Sequence, residues 1–266
     1  ERNVVLTQWN WGDNVAFVHD EIATDKRNPR ENANGPIYGA DIGNDFLLIT
    51  DPNENQSEML KIPLRVDRDT VPSMFQTEGF KPWRDFGERA VWDDPANPHN
   101  PMLDAEGRVW LTTRVQSIDN PAWCREGSDN TYAQYFPVNR AGRHTGYYDP
   151  GTEEFELIHT CFGTHHLQFG EDEDDTLWFS GDGNVVGWLN TRLYDETGDE
   201  QGSQGWCPTV LDTNGDGEIT KPWNEPRDDN PDPALDTRVA GFGYGIIASP
   251  TDHSVWISRT GPFPGS

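Results

Sequence analysis

The chain has 266 residues, enough for one large domain or two small ones, and combines 33% hydrophobic and 11% aromatic residues with 26 glycines and 20 prolines. That mixture suits short strands joined by many turns, and no amphipathic helix of three turns or more stands out. A formal net charge of −26 makes nucleic acid and anionic membrane surfaces poor partners, because phosphates are repelled.

The opening stretch "ERNVVLTQWNWGDN" lacks the segments of an export signal, so any such signal is expected to have been removed or to lie outside this sequence. No apolar run approaches the roughly 18 residues of a spanning helix, so membrane insertion is not expected.

In chain order, four segments share one grammar of an apolar strand, an acidic or Gly-containing turn and a second strand that usually carries Trp. They are "IYGADIGNDFLLITD" (37–51), "HNPMLDAEGRVWLTTR" (99–114), "HHLQFGEDEDDTLWFSG" (165–181) and "YGIIASPTDHSVWISR" (244–259). Trp110, Trp178 and Trp256 each fall just past the turn, and Asp104 and Asp172 each lie six residues before their Trp. Further strands follow in "GYYDPGTEEFELIH" (146–159) and "NVVGWLNT" (184–191). Four antiparallel strands per unit, radially repeated, describe the blades of an all-β propeller. The competing arrangement is a run of unrelated hairpins in a β-sandwich.

The blade cores are expected near 37–65, 99–159, 165–191 and 244–266, in one propeller segment with insertions at 66–98, 115–145 and 192–240. The last blade has only its inner two strands, so the segment is expected to belong to a longer protein whose other blades lie elsewhere on the chain or on another subunit. The 115–145 insertion carries Trp123, Tyr132 and Tyr135, an aromatic set suited to glycan or peptide unless it packs back on its own sheets.

Residues just before each innermost strand of a propeller surround the mouth of its central channel. Those places hold Tyr38, His99, Asn100, His165, His166 and Tyr244, and imidazoles there suit a proton-transfer or metal site. Structural hydrogen bonding at strand starts is the plainer role for the same residues.

"DTNGDGEIT" (212–220) follows the calcium-loop pattern, with Asp212, Asn214 and Asp216 at positions 1, 3 and 5, Gly217 at the sharp turn and Glu218 at the carbonyl position. Trp223 stands at the twelfth position, where a bidentate Glu belongs, and Glu225 or Asp228 is available to replace it. A structural Ca2+ is the cofactor this implies. The acidic "EDEDD" (171–175) reads as a solvated turn.

Three cysteines show no CxxC spacing. A Cys124–Cys161 disulfide with Cys207 free is the favoured arrangement, against three buried thiols.

"HNPMLDAEGRVWLT", "HHLQFGEDEDDTLWFS" and "VVGWLNT" resemble the blades of the seven-bladed streptogramin lyase (virginiamycin B lyase) propellers. The fuller string, with "NANGPIYGA", "SQGW" and "VLDTNGDG", is similar to large exported bacterial propellers labelled as carrying a carboxypeptidase-regulatory-like domain.

The resemblance implies a propeller at a secreted, periplasmic or cell-surface location. It also implies a lyase or hydrolase site in which a histidine base (His99, His165 or His166) works with a second divalent metal such as Mg2+ in the funnel. The lyases' late-blade Glu-x-His has no counterpart here, since His253 falls in a turn. A non-catalytic module that binds a small molecule, peptide, glycan or neighbouring subunit is the alternative.

Overall fold

The computed structural model describes residues 16–73, 92–181, 184–239 and 243–259. Contacts divide the chain into two units, one of residues 1–117 and 145–157, the other of 118–144 and 158–266. Among the described residues the regular structure is all β apart from two short helices, α1 (Thr131–Tyr135) and α2 (Thr191–Thr197), and brief 3-10 turns. Three sheets have four antiparallel strands, each in plain chain order. Antiparallel neighbours need no crossover helix, which is why turn-rich sequence suffices to build them.

In the first unit, the first sheet joins β1 (Asp20–Ile22), β2 (Ile37–Asp41), β3 (Phe46–Asp51) and β4 (Gln56–Lys61). The second joins β5 (His99–Leu103), β6 (Val109–Thr113), β7 (His144–Asp149) and β8 (Glu154–Ile158). The first strands of the two sheets, β1 and β5, lie side by side. Leu47, Ile49, Leu103, Val109 and Leu111 form one buried core with Tyr38 and Tyr148; each such aliphatic side chain contributes about 1.5–3 kcal/mol by leaving water.

Asp104 closes the β5–β6 turn. Its carboxylate accepts from the backbone N–H groups of Glu106 and Arg108 at 3.0 and 2.8 Å and from the indole N–H of Trp110 at 2.7 Å. The Asp-to-Trp spacing noticed in the sequence is thus a turn-locking bond here. Asp172 closes the corresponding turn of the third sheet through the N–H groups of Asp174 and Thr176 and the Thr176 hydroxyl, whereas Trp178 turns against Trp188 at 5.5 Å.

In the second unit, the third sheet joins β9 (His166–Phe169), β10 (Thr176–Ser180), β11 (Val185–Asn190) and β12 (Gln204–Pro208). A two-stranded ribbon, β13 (Val210–Leu211) with β14 (Thr237–Arg238), and a hairpin, β15 (Gly243–Ala248) with β16 (Val255–Arg259), complete the described strands. β15 lies beside β9.

The segment around α1 is tied to the lead-in of β9 by the Cys124–Cys161 disulfide, and Cys207 is free and exposed. Tyr132 of α1 packs against Trp188 and Trp206 at 5.3 and 5.5 Å, and Trp206 donates its indole N–H to the Phe136 carbonyl. Tyr135 meets Trp223 at 5.6 Å, and Trp123 meets His159 at 5.9 Å. The aromatic insertion therefore packs back on its own unit.

Two boundaries differ from the sequence reading. The first sheet begins at β1, ahead of residue 37, because "DEI" becomes a strand by pairing with β2 (Ile22 opposite Tyr38, Asp20 opposite Ala40) and has too few residues to show a period of its own. The hairpin 37–51 is consequently strands two and three of its sheet, whereas 99–114 holds strands one and two. The outer strand of the third sheet, β12, lies inside the 192–240 segment, separated from β11 by helix α2. Much of the 66–98 insertion and residues 260–266 of the blade core expected at 244–266 lie outside the described residues.

Candidate functional site

His166 opens β9, and His165 immediately precedes it. His165 donates its backbone N–H to the Ser180 carbonyl at 2.8 Å, while His166 pairs across the ladder with Ser180. The Ser180 hydroxyl in turn donates to the carbonyl of Tyr244 on β15. These bonds gather three rings: His165 stacks on His166 with centroids 4.6 Å apart, and Tyr244 stands 4.9 and 4.5 Å from the two imidazoles.

Adjacent strand residues would face opposite ways. His165 escapes that rule by sitting ahead of the strand. Gly181 permits its approach, because a Cβ there, at φ +91°, would stand 2.2 Å from the His165 Cβ. Both imidazoles are half-buried and Tyr244 is 40% exposed, so the cluster reaches solvent.

His99 opens β5 in the other unit, so the expected histidine set is divided between the two units. Its ring is buried, lies 3.3 Å from the Asn97 carbonyl through Nδ1, and meets the ring of His19 edge-on at 4.9 Å. His19 is the residue the sequence reading missed. It precedes β1 and has Nδ1 2.8 Å from the Asp20 carboxylate, which also accepts the N–H of Asn100 at 3.0 Å. Asn100 takes a positive φ of 46° in the irregular step between His99 and Met102.

Tyr38 does not occupy a strand start. It is the second residue of β2, buried at 3% exposure, and burial, followed by Tyr148 and nearby carboxylates, pushes its phenol up to about 12. Trp110 likewise stands second on the second strand of its sheet.

The 212–220 loop is closed by side chain-to-backbone hydrogen bonds. Asp212 accepts from the N–H groups of Gly215 and Gly217 at 2.7 and 2.9 Å, Asn214 Oδ1 from Asp216 at 2.9 Å, and Asp216 from Glu218 at 2.8 Å. Gly217 turns at φ +84° with open space beside it, a conformation other residues resist.

Glu225, expected as the closing ligand, is drawn away. Its carboxylate takes the Arg238 Nε–H at 2.8 Å and the Trp223 indole N–H at 3.0 Å. Burial raises its pKa, but these two donors outweigh burial and hold it below the usual carboxylate range. Asp228 caps the backbone N–H of Glu225 at 2.7 Å.

A carboxylate from farther along the chain bonds the end of the loop. Asp236, 1% exposed, accepts the N–H of Thr220 through Oδ2 at 3.1 Å, while its buried Oδ1 has no hydrogen-bond partner. Among the described residues no three His, Cys, Asp or Glu side chains are grouped as a ready-made metal cage.

No protein-family model, no curated protein and no solved structure matches the chain. The second unit combines a half-buried imidazole–phenol cluster near neighbouring strand starts with an acidic loop at its ribbon.

Proposed function

We propose that this chain is part of an exported β-propeller that serves as a ligand-binding module, with the rings of His165, His166 and Tyr244 as its binding surface and calcium in the 212–220 loop as a structural brace. Sheets in chain order with neighbouring first strands support the propeller reading. The Cys124–Cys161 bridge suits an oxidising compartment, and among the described residues no helix is long and apolar enough to cross a membrane.

The ring cluster carries the binding reading. Two half-buried imidazoles and a phenol 40% exposed combine ring surface with polar atoms, the chemistry that receives a sugar face or a peptide side chain. A net charge of −26 favours neutral or cationic ligands over anionic ones. An array of neutral, cationic and anionic glycans and peptides tests this. Capture of neutral or cationic members, lost in Tyr244→Ala, is the expected result, and capture of anionic members alone, or capture indifferent to Tyr244, overturns it.

A second reading, proton abstraction by a lyase or hydrolase, draws on the pairing of His19 with Asp20 beside His99. A carboxylate that fixes one imidazole nitrogen leaves the other to act as a base. Cleavage of a cyclic ester lost in His19→Ala supports it; cleavage unchanged in that variant removes it.

A further inference from the structure

We infer that the depression beside Trp123 is a binding site for an organic cation of the guanidinium type, with the indole as its platform and Glu126 and Asp129 as its charge partners. The site shares no residue with the ring cluster of His165, His166 and Tyr244, so the inference stands apart from that binding reading.

The depression has a volume of about 430 Å3 and is lined by Ala122, Trp123, Glu126, Gly127, Ser128 and Asp129. That volume falls within the roughly 300–1,000 Å3 of small-ligand sites. All of its lining comes from one loop of the second unit, so the site is complete within that unit.

The loop is held from several sides. Cys124, inside it, is bridged to Cys161, and the Cys124 carbonyl accepts the Val138 N–H at 2.9 Å. The Ser128 hydroxyl donates to the Trp123 carbonyl at 2.9 Å and accepts the Asn130 N–H at 3.0 Å, while the Ser128 N–H donates to the Arg125 carbonyl at 3.2 Å. His159 braces the indole nearly at right angles, with the rings 5.9 Å apart, and Trp123 stays half-buried. A wall fixed before the ligand arrives loses little freedom on binding.

The lining selects charge. Both carboxylates are exposed, and among the described residues neither accepts a hydrogen bond nor forms an ion pair, so each keeps its lone pairs for a ligand. Arg125, the cation nearest in sequence, does not line the depression. Two negative charges beside an indole attract a cation through both charge and the ring quadrupole. A guanidinium suits this pair of features better than an ammonium, because it is flat enough to stack on the indole and presents a fork of N–H donors to carboxylates.

The test titrates the full chain, labelled at its indole nitrogens, with arginine amide, with the neutral citrulline amide and with the tripeptide Gly-Arg-Gly. Trp123→Phe identifies the Trp123 indole signal. The expected result is a saturable shift of that signal by arginine amide and none by citrulline amide. Binding is expected to weaken at least about threefold in the double variant Glu126→Gln/Asp129→Asn and on raising salt from about 0.05 to 0.5 M, and to be unchanged in Tyr244→Ala. The double variant alters only exposed side chains, so its unfolding midpoint is expected to match the wild type.

Gly-Arg-Gly binding at least as well as the amide assigns the ligand to a peptide side chain, and the amide binding alone assigns it to a free small cation. An unmoved Trp123 signal, an equal response to citrulline amide, or binding indifferent to the double variant overturns the inference and leaves the ring-cluster reading untouched. Binding lost in Tyr244→Ala transfers the cation to the ring cluster and overturns it as well.

Discussion

Replacing both Cys124 and Cys161 by Ala removes a bridge that closes a 37-residue separation between the α1 segment and the lead-in of β9. In the chain-entropy account a closed loop of that length stabilises the folded state by about 4 kcal/mol at 25 °C. With a urea slope of about 2 kcal/mol/M, the midpoint falls by roughly 2 M. Both sulfurs are fully buried in the second unit, so the loss belongs to that unit.

Hydrogen exchange of the β9–β12 amides along a urea series reads it, with the first unit's β2–β3 amides as the internal reference. Wild-type protein unfolded in reductant is expected to match the variant. A midpoint lowered by less than about 0.5 M refutes the reasoning. It means that Asn120, which donates to the Val138 and Cys161 carbonyls, and Tyr132 against Trp188 and Trp206 already fix the segment without the bridge.

Asp45 gives a pH signature in the first unit. Burial raises its carboxyl from 3.8 to about 6, despite opposing N–H bonds from Ala96 and Asn97 and the charge of Arg68. A folded-state pKa above the unfolded one means that the folded chain holds the proton more tightly, so stability is greatest below about pH 4 and falls, by roughly 3 kcal/mol in all, as pH rises through 6. The difference in unfolding free energy between wild type and Asp45→Asn is expected to change across that window; a flat difference contradicts the assignment. Asp104→Ala takes the acceptor from the Trp110 indole and two turn N–H groups and is expected to cost about 3 kcal/mol in urea unfolding, with a loss under 1 kcal/mol counting against the turn-locking role.

The sequence showed the hairpins at 99–114, 165–181 and 244–259 because each has its own apolar alternation and a turn built by a local Asp or Gly. The residues Trp110, Trp178 and Trp256 fall at like places on second strands, opposite Met102, Gln168 and Ile247. β1 was hidden because three residues carry no period, and its loss put Tyr38 at a strand start and left His19 unnoticed. β12 was hidden because "QGWCP" follows a helix and a turn, so the four strands of its sheet are not evenly spaced in the chain.

The surroundings of Asp236 were hidden for a similar reason, because its bond to the Thr220 N–H joins residues 16 positions apart, beyond any motif read at short fixed offsets. The disulfide was readable because only three cysteines exist, but the packing of Tyr132 and Tyr135 onto Trp188, Trp206 and Trp223 depends on tertiary contacts no local pattern encodes.

The most direct test of the binding account is a titration of histidine-labelled protein, watched through its seven imidazoles, with the neutral or cationic ligand that the array selects. The account predicts that His165 and His166 shift together in a saturable way and that His19, His99 and His253 stay fixed. Shifts at His19 and His99 instead, with His165 and His166 unmoved, contradict it and place the activity at the Asp20-held imidazole.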